Sequence, residues 1–266
     1  MGKMKRNDLK ISILLAVICF IGGFLVLPYQ LDAMQQTLPH QYEQLIETMP
    51  VPMILLQLIT AIQLTVMAFI VAFLGIKIAR KVGFSLDILD ALFTKTKVSF
   101  ETRWVVRAFI FGAISAFVIV GADRFYYQNK ISGISDIEPE FSLIGLIAGV
   151  FYGGVFEELL MRLFVMSLLI WLVKILFYRG KSELPSLFYW MAIIIAALLF
   201  AIGHLPATDA IFGGVTTDLM IRSLILNGIA GIFCGYLFWK KGIEYAILSH
   251  MFAHISLQLI MIPLFY

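Results

Sequence analysis

Two glutamates, one arginine and three histidines stand inside otherwise apolar stretches of this chain: Glu157, Glu158, Arg162, His204, His250 and His254. Insertion scales put an ionised side chain at a membrane-helix centre at ~2.5–3.5 kcal/mol, so such groups face a protein interior or a wet cavity. Carboxylates and imidazoles are also the side chains that move protons near neutral pH. Glu158 and Arg162 are spaced i,i+4, in the order that favours an ion pair along one helix. That pair would brace the helix and leave Glu157 without a partner on it, free for chemistry. The bland alternatives are that both glutamates anchor helix packing, or that Gly153-Gly154 opens a wet break. His250 and His254, again i,i+4, project from one helix face, a geometry for a shared metal or for two hydrogen bonds to one oxyanion. His204 ends its apolar run two residues before Pro206, where a cap, an interfacial residue or a catalyst would each fit.

These groups need helices to hold them. Of the 266 residues 61% are hydrophobic and 14% charged, against about 45–50% and 25% in soluble domains, so a water-soluble globule is excluded. The mean hydropathy is +0.95. Apolar stretches cover 11–27, 51–76, 104–122, 141–177, 186–204, 219–239 and 243–262, which predicts an all-α, polytopic transmembrane bundle. The fourth stretch is long enough to cross twice, so seven or eight helices are open. Basic residues decide for seven: Lys3, Lys5, Arg6 and Lys10, then the loop 77–103, then Lys174, Arg179 and Lys181, then Lys240 and Lys241 all fall on one side only if it crosses once. The positive-inside rule makes that side, with the N-terminus, cytoplasmic. The first run has no small-x-small cleavage site before Pro28, and reads as a membrane helix rather than a signal peptide.

The formal charge of +3 is explained by these loops, so membrane lipid is an expected partner and nucleic acid is not. Cys19 and Cys234 lie in apolar runs and need be no more than small hydrophobes. An amphipathic interfacial helix is expected around 86–93. Gly145, Gly149 and Gly153 recur every four residues, with Glu157 next in the stripe, which lets a second helix approach and aims Glu157 at protein. Gly228, Gly231 and Gly235 give the sixth helix a small-residue face, expected to press on the seventh. Arg222 and Asp218 receive no role. These ends place His204 near one membrane face and His250 near the other, so a shared site requires tilted helices, a helix extended past the membrane, or re-entrant loops.

In this order the motifs resemble the CAAX-protease and bacteriocin-processing superfamily of intramembrane proteases. Glu157-Glu158-Leu159-Leu160-Met161-Arg162 fits its EExxxR motif, and Phe200-Ala201-Ile202-Gly203-His204 its FxxxH motif. The glycine helix leading into His250 is similar to the approach to its third motif. That motif is HxxxN or HxxxD in the family and reads His250-Met251-Phe252-Ala253-His254 here. The resemblance covers roughly 141–263, a catalytic core at 141–266 following three helices at 1–140. It implies an intramembrane endopeptidase of the glutamate type acting on a membrane-associated peptide or protein. Glu157 and His204 would activate water, His250 and His254 would support the oxyanion, and Glu158, Arg162 and Phe200 would hold the frame, without a cofactor. Two other readings stay open. One is a zinc-dependent hydrolase using Glu157, His204, His250 and His254 as ligands; the other is a non-catalytic membrane scaffold.

Overall fold

The computed structural model describes residues 2–94, 96–135, 138–179 and 184–266. Every regular element among them is a helix. Seven helices are long and apolar enough to cross a membrane: Asn7–Thr37, Met53–Val82, Thr102–Asn129, Leu143–Phe177, Ser186–Phe212, Thr217–Lys241 and Ile243–Phe265. They are called the first to seventh membrane helices below. The chain is an all-helical, multi-pass integral membrane protein. The long fourth stretch crosses once, as one 35-residue helix. Over Gly149–Glu157 and Leu159–Met166 it widens into π-helix, where hydrogen bonds run i→i+5 and which is often found at functional sites.

Two helices run further than their prolines predict. The first apolar run was expected to stop before Pro28, yet the helix continues to Thr37 with Pro28 inside it. A mid-helix proline strands the carbonyl four residues back, here that of Phe24. Gln57 of the second helix donates to that carbonyl from Nε2 at 3.3 Å, which supplies from a neighbour the partner that hydrocarbon cannot offer. The fifth helix does not end at His204 either. It breaks for that one residue and resumes as Leu205–Phe212, with Pro206 in the first turn, where a missing N–H costs no bond. His204 therefore sits eight residues inside the span.

The seventh helix begins beneath a lid of loop. Its first residues Ile243, Glu244 and Tyr245 are buried, so His250 is deeper in the protein than its distance from Lys241 suggests. These two facts bring the histidines to one level without a re-entrant loop. The expected interfacial helix forms as Asp87–Thr94 and buries Ile88 and Leu89. Glu244 anchors it, its Oε1 accepting from the backbone N–H of Ile88 at 3.0 Å and of Leu89 at 2.9 Å; a carboxylate there also faces the positive end of the helix dipole. Arg80 clamps the same loop, with Nη1 and Nη2 donating to Asp90 at 2.8 and 2.7 Å and Nε to Asp8 at 2.9 Å.

Close packing relies on small residues, since lipid tails give apolar helices no hydrophobic reason to associate. The glycine face of the sixth helix meets the fifth rather than the seventh: a Cβ on Gly231 would lie 2.8 Å from Ala197 Cβ, and one on Gly235 3.0 Å from Ile193. Gly228 has open space beside it. The seventh helix instead lies against Gly112 of the third, where a Cβ would come 2.5 Å from the Ser249 carbonyl. Replacing Glu244 by alanine strands two buried N–H groups, each worth roughly 1–3 kcal/mol when unsatisfied. Thermal unfolding in detergent should therefore shift down by several degrees for Glu244→Ala and by less for Glu244→Gln; an unchanged midpoint would contradict the anchor.

Candidate active site

The site is built outward from the fourth helix. Arg162 and Glu158 are 1% and 0% exposed, with Nη1 2.9 Å from Oε1. The contact is an ion pair rather than an aligned hydrogen bond, since the guanidinium nitrogens have no well-directed partner among the described residues. Phe200 of the fifth helix stacks under the guanidinium, 4.8 Å from the ring centroid. His250 of the seventh helix completes the chain, its Nδ1–H donating to the same Glu158 Oε1 at 2.8 Å. The i,i+4 pair read from the sequence thus forms, and it also reaches the histidine helix.

Glu157 faces the other way, toward open space. Its Oε1 is 3.6 Å from His204 Nε2 and its Oε2 is 3.8 Å from His250 Nε2. Both gaps exceed hydrogen-bond length. The ring tautomers follow from the outer contacts. His204 Nδ1 lies 2.8 Å from the Phe200 carbonyl, an acceptor only, so that nitrogen carries the hydrogen. The same holds for His250 Nδ1 against Glu158, already paired with Arg162. The His204 bond also turns the ring back along its helix toward Phe200, 4.6 Å centroid to centroid, and down to the level of Glu157.

His254 lies flat on His250, ring centroids 5.1 Å apart and planes at 10°. The glycine stripe makes its bed: a Cβ on Gly149 would collide with His254 Nδ1, and one on Gly153 would lie 2.5 Å from Nε2. The stripe therefore admits an imidazole as well as a helix. Thr208 and Ser223 nearby donate their hydroxyls to the carbonyls of His204 at 3.0 Å and Ala201 at 3.2 Å, so neither is set up as a nucleophile.

Glu157, His204, His250 and His254 all line one cavity of about 500 Å³, within the range of small-molecule and peptide sites. Its far wall was not read from the sequence. It includes Gln30, Gln36 and Thr37 of the first helix, and Asp123 of the third helix facing Arg222 of the sixth. Arg222 holds Asp123 in a fork, Nε to Oδ1 at 2.6 Å and Nη2 to Oδ2 at 2.5 Å. A basic residue inside one apolar run and an acid just past the end of another were the available signal, but they are 99 positions apart. The zinc reading finds a different neighbourhood: among the described residues the three ligand atoms within 4.8 Å of one another belong to Glu158, Cys234 and His250. Glu158 there is already engaged by Arg162 and His250.

Fold and site together define a polytopic membrane protein with a buried glutamate–histidine centre. Residues 139–256 match the family described as Type II CAAX prenyl endopeptidase Rce1-like. That segment is an Rce1-like domain, and it spans the fourth helix through His254. Comparison with curated proteins and with solved structures finds no significant match. Because Gly149 leaves no room for a methyl group, Gly149→Ala should displace His254 or lose roughly 1–3 kcal/mol by overpacking. Gly228→Ala, facing open space, should leave the thermal midpoint unchanged. Equal midpoints for the two variants would contradict the glycine bed.

Proposed function

We propose that this chain is an intramembrane endopeptidase of the glutamate type, acting on a membrane-associated peptide or protein. The observation that carries the reading is Glu157, with one oxygen 3.6 Å from His204 Nε2 and the other 3.8 Å from His250 Nε2. A water in the first gap donates one hydrogen to Glu157 and the other to the bare His204 Nε2, leaving a lone pair toward the cavity. Glu157 takes the proton as the water oxygen attacks the scissile carbonyl carbon. The tetrahedral intermediate then collapses, and the proton passes to the departing amine nitrogen. No covalent intermediate is involved.

The oxyanion falls to His250 and His254. His250 faces the cavity with Nε2, the nitrogen placed to meet the oxyanion, while Nδ1–H stays on Glu158. Losing one such donor costs ~2.7–4 kcal/mol in comparable sites. His254 stands where the family has an amide, and its ring nitrogens supply the same kind of donor. Glu157→Gln should lower turnover by at least ~10²-fold with an unchanged thermal midpoint, and should retain substrate that co-purifies for identification. Full activity in that variant would favour a scaffold over an enzyme.

One observation favours a second reading, a metal-dependent hydrolase. His204 and His250 each donate one ring N–H to a carbonyl or carboxylate and turn the other nitrogen toward Glu157, as metal-bound histidines do. Metal analysis of the purified protein decides between them. Stoichiometric zinc, with activity lost to chelator and restored by zinc, supports the metal reading; activity insensitive to chelator supports the glutamate mechanism.

A further inference from the structure

The cavity reaches one end of the bundle: among the described residues its lining includes none from segments 1–10, 77–107, 174–181 or 240–241. Its floor is Glu157, His204 and His250, and its wall rises through Gln36, Asp123, Phe212 and Arg222. Gln36 and Phe212 close the first and fifth helices, Asp123 is in the last turns of the third, and Arg222 is in the first turns of the sixth. All four belong to the same end of an alternating set of helices. The opposite end joins segments 1–10, 77–107, 174–181 and 240–241, which hold 16 of the 20 Lys and Arg. Segments 32–47, 123–140 and 209–222 flank the mouth and hold nine Asp and Glu against three Lys and Arg. Glu138 and Glu140 are exposed beside the wall residue Pro139, and Asp209 is exposed beside Thr208. Arg222, one of the three cations, is already neutralised by Asp123.

From this arrangement we infer that the active-site cavity opens on the non-cytoplasmic face of the membrane and takes positively charged peptide segments presented there. Basic loops stay on the cytoplasmic side, and 16 charges fix the opposite end there. The mouth then faces outward. An acidic rim over a low-dielectric cavity concentrates cations and repels anions. The side-chain amides of Gln30 and Gln36 line that path, suited to the main chain of an extended segment. The peptide nature of the ligand rests on the endopeptidase reading; the direction and charge preference of the mouth do not.

The test needs no catalysis. Gly203 lines the cavity next to His204, and a side chain there meets nothing within 4 Å. Gly203→Cys therefore places a thiol at the cavity floor, while the native Cys19 and Cys234 are buried. Lys97→Cys, in the exposed loop, reports the opposite end. Intact cells are treated with membrane-impermeant methanethiosulfonates, one cationic and one anionic. Gly203→Cys should react from outside and Lys97→Cys only after permeabilisation. The cationic reagent should react on the order of tenfold faster at low salt, with the advantage lost near 1 M salt, where the screening length is ~3 Å. Reaction of Gly203→Cys only after permeabilisation, or from neither side, overturns the outward mouth. Equal or faster reaction of the anionic reagent overturns the charge preference. Ala207→Cys, also in the cavity wall, serves if Gly203→Cys does not accumulate. Adding Glu157→Gln should leave the labelling pattern intact, so an inactive enzyme and a wrong mouth give different results.

Discussion

A guanidinium with no exit to water has to be answered by the protein around it, and Arg162 sets that requirement here. Glu158 answers its charge, Phe200 its flat face, and Gly231 makes room for its tip. Those residues come from the fourth, fifth and sixth helices, and His250 joins from the seventh through the same carboxylate oxygen. Buried ion pairs add little net stability compared with a well-packed apolar core, but removing one partner is costly. The pair therefore works less as glue than as a registration mark. Four helices can satisfy it only at one rotation and one depth, and that setting turns Glu157 toward the cavity.

Around this mark, the packing divides into two halves with different devices. On the site side, glycines of the fourth helix accept imidazole edges. On the other, the loop between the second and third helices is tied down by charge: Arg80 reaches both Asp8 and Asp90, and Glu244 caps the short helix from below. Glu101 takes part as well, held below the usual carboxylate range by the Lys241 ammonium beside it. The seventh helix is fixed at its start by the loop and at its middle by Glu158, which leaves its histidine face little freedom to drift.

What the sequence disclosed was whatever is local. The seven spans, the Glu158–Arg162 pair, the common face of His250 and His254 and the short interfacial helix each depend on spacings of a few residues, and each is present. What it concealed depends on neighbours. Pro28 reads as a helix end because its rescue comes from Gln57, 29 positions on. Pro206 reads as a stop because a one-residue break and a restart look the same as an end. The glycines of the sixth helix show that something packs closely, but not that the fifth helix does so. The Asp123–Arg222 fork has no local signature at all, and with it went the outer wall of the cavity.

The rescued proline has a consequence for delivery. At 1.5 Å per residue a 31-residue first helix is ~46 Å long, well beyond the ~30 Å of hydrocarbon. Had it stopped before Pro28, the wall carrying Gln30 and Gln36 would not exist, and the cavity would lie open to lipid. With the wall standing, a polar side leads from the end of the bundle to Glu157. On the endopeptidase reading proposed above, an unstructured tail or loop would descend along it without first being pulled apart as a helix within the bilayer.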